Sequence, residues 1–182
     1  MKMKTMKKPI YKIYDDYLDR GPFHNIQSIF FGNSIEWIYN EHKVNYTDDD
    51  LYNFQFVHKF WEQTKGVVSP HWSILTPLVR KIDPALFIRV KANMVPFQKD
   101  IVEYGKHVDT HYKATTAIFY LNTNNGYTCF TDGSKVESVA NRLVTFPSHY
   151  LHAGTTCTDE KVRGVLNLNY VEKKDIQFEK EI

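Results

Sequence analysis

The chain has 182 residues, 42% of them hydrophobic and 15% aromatic, and a formal net charge of +2. A chain of that size folding as one unit buries roughly two-thirds of its unfolded surface, so a packed core is expected and disorder is not. The near-neutral charge gives no field favouring nucleic acid or a membrane surface, and no run approaches the roughly 20 apolar residues of a membrane span.

The two cysteines, Cys129 and Cys157, make no disulfide framework of the secreted kind and suit a reducing, cytoplasmic setting. Met1 to Lys8 is basic like the start of a signal peptide. Tyr11-Lys12-Ile13-Tyr14-Asp15-Asp16 follows where an apolar segment would be required, so a soluble start is expected. No repeat or linker divides the sequence. It reads as one domain over 1–182, with 1–86 as a helical, variable cover and 87–171 as a β-rich core.

From Pro22 to Phe31 the apolar residues Phe23, Ile26 and Phe30 fall on one helical stripe, with Gly32-Asn33 as the stop. Ile35, Trp37 and Tyr39 then alternate as in a strand, and Phe54 and Phe56 alternate again. Asp48-Asp49-Asp50 between them lacks the ligand spacing and central glycine of a calcium loop, so a solvated loop or helix start is expected. Trp72, Leu75, Val79 and Ile82 mark a second helix. Pro77 either starts it, with Thr76 as cap, or kinks it, and Asp83-Pro84 ends it.

Beyond Phe87 the pattern predicts eight short strands, at 87–95, 104–109, 115–122, 127–131, 136–140, 142–146, 151–155 and 162–171. Turn signals such as Asn124-Asn125-Gly126 and Asp132-Gly133 separate them. Eight short strands in two facing sheets make a jelly roll. Ala117-Ile118-Phe119-Tyr120-Leu121 has no polar face, as in a strand covered on both sides, and the N-terminal helices are the obvious outer cover.

The chemistry centres on His107-Val108-Asp109. Residues two apart on extended chain point the same way, so an imidazole and a carboxylate can meet at one point. A third ligand is needed, and His152 is the best candidate, with His149 as a rival. Two histidines and one carboxylate with open positions form the facial triad of non-haem Fe(II) oxygenases. The small Ala153-Gly154 after His152 favours it over His149, because backbone can approach a ligand closely there. His111 shares the alternation but reads as a rim or surface residue. The remaining histidines, His24, His42, His58 and His71, lie in the half without site signals.

The second half resembles the 2-oxoglutarate- and Fe(II)-dependent oxygenases, on the prolyl-4-hydroxylase-like branch. The residues that carry the resemblance run in order: His107-Val108-Asp109, Thr116-Ala117-Ile118-Phe119-Tyr120-Leu121-Asn122, Asn125-Gly126-Tyr127-Thr128, Asn141 to Phe146, His152-Ala153-Gly154, and Arg163 to Tyr170. The resemblance spans about 87–171 and implies a double-stranded β-helix, the cupin-like jelly roll, with N-terminal helices on the outer face of one sheet. It implies that His107, Asp109 and His152 hold Fe(II), and that Arg163 pairs with the distal carboxylate of 2-oxoglutarate, a match that a planar guanidinium suits. It also places Tyr120, Thr116 and Asn169 at the cosubstrate.

The implied activity is hydroxylation by O₂ with succinate and CO₂ as co-products, with ascorbate as a possible reductant. The implied substrate is a peptidyl proline or another amino-acid side chain, with a small molecule also open. The competing expectations are a non-catalytic jelly-roll binding module and a cupin-like metalloenzyme that ignores 2-oxoglutarate.

Overall fold

In the computed structural model, which describes residues 10–43, 51 and 53–176, the longest apolar run of the sequence becomes the middle of the larger of two sheets. In chain order the elements are β1 (Lys12–Tyr14), α1 (Arg20–Phe30), β2 (Ile38–Asn40), β3 (Gln55–Glu62), β4 (Gly66–Val67), α2 (Thr76–Ile82), β5 (Leu86–Pro96), β6 (Thr115–Tyr120), β7 (Tyr127–Phe130), β8 (Lys135–Glu137), β9 (Leu143–Pro147), β10 (His152–Gly154) and β11 (Val162–Val171). The large sheet runs β1-β9-β6-β11-β5-β3-β2, with β4 paired to β3, and the small sheet runs β10-β7-β8. All these pairings are antiparallel.

Alternation along each strand sorts the side chains into two cores. Ala117 and Phe119 of β6 and Leu166 and Leu168 of β11 face outward, where Phe23, Ile26 and Phe30 of α1 and Leu75 and Leu78 cover them. Their neighbours Ile118, Tyr120 and Val165 face inward, with Val144 and Phe146 of β9, and meet Phe130 and Val136 of the small sheet. The expected jelly roll, with helices on the outside of one sheet, is therefore present. Both faces of β6 and β11 are buried, so β6 reads as apolar on both sides, whereas β11 alternates because its inward side carries Arg163, Asn167 and Asn169.

Several expectations change in detail. Residues 104–109 do not form a continuous strand: the chain here meets β10 and the residue after it through isolated bridges, Glu103 with Thr155 and His107 with His152, and through Tyr104 N–H to Gly154 O. The first half is more than a helical cover, since β1 extends one edge of the large sheet and β3 and β2 the other. Of the predicted strand at 136–140 only 136 and 137 pair, with Lys135 before them, and the strand ends after Glu137, where Ser138 N–H bonds the Gly126 carbonyl.

The second helix is a 3₁₀ turn over Trp72–Leu75 running into α2, with Pro77 in the first turn and no side-chain cap from Thr76. It stops at Asp83, whose φ of 50° is left-handed. The acidic run Asp48-Asp49-Asp50 and the first nine residues lie outside the described residues. No helix among the described residues is long and apolar enough to cross a membrane.

Leu166 is fully buried in a strand paired on both sides. Leu166→Ala should cost about 2–5 kcal/mol of stability, whereas Tyr112→Ala, at a 70% exposed position, should stay within about 0.5 kcal/mol. Urea unfolding midpoints check this, and equal losses would contradict the assignment of Leu166 to the helix-facing core.

Candidate functional site

His107 and His152 stand directly opposite each other and exchange both backbone hydrogen bonds, His107 N–H to His152 O at 2.9 Å and the reverse at 3.0 Å. Antiparallel partners of this kind present their side chains on one face. The two rings are accordingly 4.6 Å apart between centroids. Two residues on, Asp109 donates its N–H to Ser148 O at 3.0 Å, which swings its carboxylate to 3.7 Å from His152 Nε2. One ligand atom from each of His107, Asp109 and His152 lies within 4.8 Å of the others. The sequence expectation of a His-x-Asp plus His152 cluster thus has its geometry. His149 and His111 are exposed and take no part in this cluster.

The surroundings suit these groups to a cation. His107 Nδ1 faces Gly105 O at 3.3 Å and His152 Nδ1 faces Tyr150 O at 3.0 Å. A carbonyl only accepts, so each Nδ1 is assigned the hydrogen and each Nε2 keeps its lone pair for a ligand bond. Burial, reinforced by neighbouring His152, pushes His107 down to about 4. Burial alone would raise the Asp109 carboxyl, but His152, the Arg89 guanidinium, His107 and the Thr116 hydroxyl outweigh it and hold it at about 2. Both groups therefore stay in their metal-binding protonation states at neutral pH.

Asp109 is held by a shell of donors. Arg89 Nη2 reaches Oδ1 at 2.9 Å, while Thr116 Oγ1 donates to Oδ2 at 2.9 Å and Asn167 Nδ2 to the same oxygen at 3.3 Å. Asn169 Nδ2 in turn donates to Thr116 Oγ1 at 2.9 Å. Thr116 and Asn169 thus sit behind the carboxylate rather than in the cavity wall. Both were expected beside the cosubstrate and both point inward as alternation requires, but here Asp109 takes the hydroxyl and the hydroxyl takes the amide.

The cavity above the triad, about 60 Å³, is walled by Arg163, Lys91, Lys43 and Thr128 together with the apolar Val95, Ile118 and Val165. Arg163 is only 3% exposed. Its Nε donates to Ser138 Oγ at 2.8 Å and Nη2 to Thr128 Oγ1 at 3.3 Å, and its guanidinium carbon lies 5.6 Å from the centre of the Tyr120 ring. Burial pushes it below the ordinary guanidinium range. Asp109 is the one acidic residue among the described lining residues, and Arg89 is its ion-pair partner. A buried cation with neutral partners only is costly unless an anion joins it.

Tyr120, also expected at the cosubstrate, is fully buried beneath Arg163 and gives its hydroxyl hydrogen to Thr128 Oγ1 at 2.8 Å. It props the arginine and Thr128 and does not line the cavity. Gly126 makes room for the Arg163 stem: a Cβ there would sit 2.7 Å from Arg163 Cδ and 2.6 Å from Thr156 O. A Cβ on Gly154 would point at both Arg163 Nη1 and Lys43 Nζ, 3.4 Å from each, so these two cations stand side by side.

Sequence reasoning missed Gln55 of β3 and Lys43; it expects the strand around Lys91-Ala92-Asn93-Met94 to contribute to the pocket but does not fix which of its residues, among them Arg89, Lys91 and Asn93, face inward. The alternation of β5 is visible in the sequence, but which half of it faces inward follows only from its register, Lys91 opposite Asn167 and Asn93 opposite Val165. The cysteines are core thiols. Cys129 lies behind Ala153, bonding its carbonyl, and burial raises it to about 11.

No family model and no curated protein matches the sequence. Among solved structures, a Trichoplax adhaerens prolyl hydroxylase in complex with a hypoxia inducible factor peptide fragment is similar at 13% identity, with a TM-score of 0.64 over 92% of this chain and 88% of that one. A Pseudomonas putida prolyl-4-hydroxylase is 12% identical, with a TM-score of 0.58 over 90% and 93%. HygX from Streptomyces hygroscopicus, with nickel, 2-oxoglutarate and hygromycin B bound, is 9% identical, with a TM-score of 0.60 over 90% and 83%. Likeness at such low identity establishes a shared fold.

Thr116→Val removes the hydroxyl that fixes Asp109 while keeping its shape. Mn(II) affinity by calorimetry should fall about 10–100-fold. An unchanged affinity would show that Thr116 does not position the carboxylate.

Proposed function

We propose that the protein is a 2-oxoglutarate- and Fe(II)-dependent dioxygenase that hydroxylates an organic substrate. The observation that carries this reading is the meeting, in one cavity, of a His-Asp-His donor cluster with Arg163, a buried guanidinium that has no acidic partner among the described residues. The neighbouring folds that hold a metal, 2-oxoglutarate or a hydroxylase substrate support it from outside the chain.

The residues present fit both absent groups. Each histidine turns Nδ1 to a carbonyl and leaves Nε2 for metal, and Asp109 is anionic. Two imidazoles and a carboxylate suit Fe(II) and leave coordination positions for other ligands. Arg163 fits the distal carboxylate of 2-oxoglutarate, with Thr128 beside it and Lys43 as a second cation on the same side. When bound, the iron supplies the oxidising chemistry: O₂ is reduced, the keto acid leaves as succinate and CO₂, and a substrate C–H becomes C–OH.

The chain's own part is positional. Asn169, Thr116 and Asn167 keep Asp109 aimed, so the carboxylate is spared reorganisation when metal binds. Tyr120 and Ser138 hold Arg163 flat against the cavity wall. Ile118, Val95 and Val165 give the cavity shared by the arginine and the triad an apolar lining, which would limit water around bound ligands. A cupin-like metalloenzyme indifferent to 2-oxoglutarate, or a binding module, has no use for that arginine.

His107→Ala or His152→Ala should abolish turnover. Arg163→Ala should chiefly raise the 2-oxoglutarate concentration needed, by about one to two orders of magnitude if a charged hydrogen-bonded pair worth about 1.5–3 kcal/mol is lost. Oxygen uptake with 2-oxoglutarate titrated in each variant measures both. Succinate formation that survives the loss of His107 and Asp109 together would overturn the reading.

A further inference from the structure

The cavity has a second polar wall that metal and cosubstrate leave without partners. Lys91 and Asn93 point inward from β5, Asn167 stands opposite Lys91 on β11, and Gln55 lies on β3 two residues before Val57, the partner of Asn93. All four line the cavity. Cross-strand neighbours stand about 5 Å apart and same-face neighbours along a strand about 7 Å, so these groups form one patch the size of a small molecule.

The chemistry of the patch is unusual. Gln55 Oε1, Asn93 Oδ1 and Asn167 Oδ1 are buried without a hydrogen-bond partner among the described residues, on residues only 2%, 8% and 6% exposed. Asn167 cannot be relieved by turning its amide over, because Nδ2 is committed to Asp109 and the exchange would set an oxygen against a carboxylate. An unmet buried acceptor is destabilising, and three on one wall call for a donor-bearing ligand. 2-Oxoglutarate carries no hydrogen-bond donor at neutral pH and cannot be that ligand. Beside them Lys91 offers a cation, while the single lining carboxylate among the described residues, Asp109, is ion-paired with Arg89.

We propose that the substrate hydroxylated here is a small zwitterion, a free α-amino acid by chemical class. Lys91 takes its carboxylate, and the side-chain carbonyls of Gln55, Asn93 and Asn167 take the N–H groups of its ammonium. This rests on the oxygenase reading and narrows it. A residue inside a peptide has its α-carboxyl and α-amino groups tied up in amide bonds and cannot present the α-carboxylate and α-ammonium together to such a wall. The conversion balances: one substrate C–H bond becomes C–OH, and one atom of O₂ enters that hydroxyl and the other enters succinate. The C–H bond and the keto acid each give up two electrons, and CO₂ leaves from the latter.

The test uses the full chain loaded with Fe(II). Anaerobic addition of 2-oxoglutarate should first give the visible charge-transfer band of the chelate; without that band the parent reading fails and this proposal with it. With the band present, the twenty free L-amino acids, their N-acetyl derivatives, their carboxamides and a proline-containing peptide are screened in air for succinate release. At least one free amino acid should raise release tenfold or more, with an equimolar hydroxylated product, and blocking either end of it should remove the effect.

Lys91→Met should cut that stimulation at least tenfold and Lys91→Arg should restore most of it. Neither change should move the 2-oxoglutarate concentration that half-forms the band, which also shows that the variants fold. Stimulation by peptides alone, equal stimulation by the blocked derivatives, or a Lys91→Met protein whose 2-oxoglutarate midpoint shifts as much as its stimulation falls would each overturn the proposal.

Discussion

Two backbone hydrogen bonds, exchanged between His107 and His152, are the constraint on which the rest of the site depends. The same segment meets β10 again where Glu103 faces Thr155. An unbroken register from that point would set Lys106, not His107, opposite His152. One extra residue between the two bridges prevents this, and in a structure with period two a one-residue slip exchanges the faces. The irregularity that stops 104–109 from being a regular strand is therefore what turns the first imidazole toward the second.

Around that point the structure concentrates charge in a place where charge is costly. The outer face of the large sheet is apolar and packed by helices, and it supplies the burial that holds the fold together. The inner face spends part of that stability on Asp109, Arg89, Arg163 and Lys91. Asp109 is compensated by histidines, an arginine and a hydroxyl. Arg163 has hydroxyls and an aromatic ring but no acidic partner among the described residues. Such asymmetry is expected of a site whose missing charges arrive with its ligands, since a buried ion without a counter-ion is a poor stabiliser.

Seven of the eight predicted core strands, all but 104–109, were legible because each is a short apolar alternation bounded by glycine, asparagine or aspartate, and that signal is local. The His107-Val108-Asp109 spacing and the Arg163 strand were legible for the same reason. What the sequence did not reveal depends on partners far along the chain. Thr116, Tyr120 and Asn169 point inward as alternation demands, yet alternation does not say whether an inward hydroxyl meets a ligand or another side chain. Here Asp109, Thr128 and Thr116 meet them first. Lys91 and Asn93 stayed hidden because the inward face of β5 is set by pairing with β11, some seventy residues later. The role of β3 as an extension of the sheet is likewise a matter of pairing, and its register shift between Lys59 and Trp61 blurs the alternation further.

The most direct test of the central claim is a crystal of the protein grown without oxygen in the presence of Fe(II) and 2-oxoglutarate, with anomalous scattering measured across the iron edge. The account predicts a single strong iron peak bonded to His107 Nε2, the Asp109 carboxylate and His152 Nε2, with the keto acid stretching from it to the Arg163 guanidinium. A peak elsewhere, or a triad with iron while Arg163 stays bound only to Ser138 and Thr128, would contradict it.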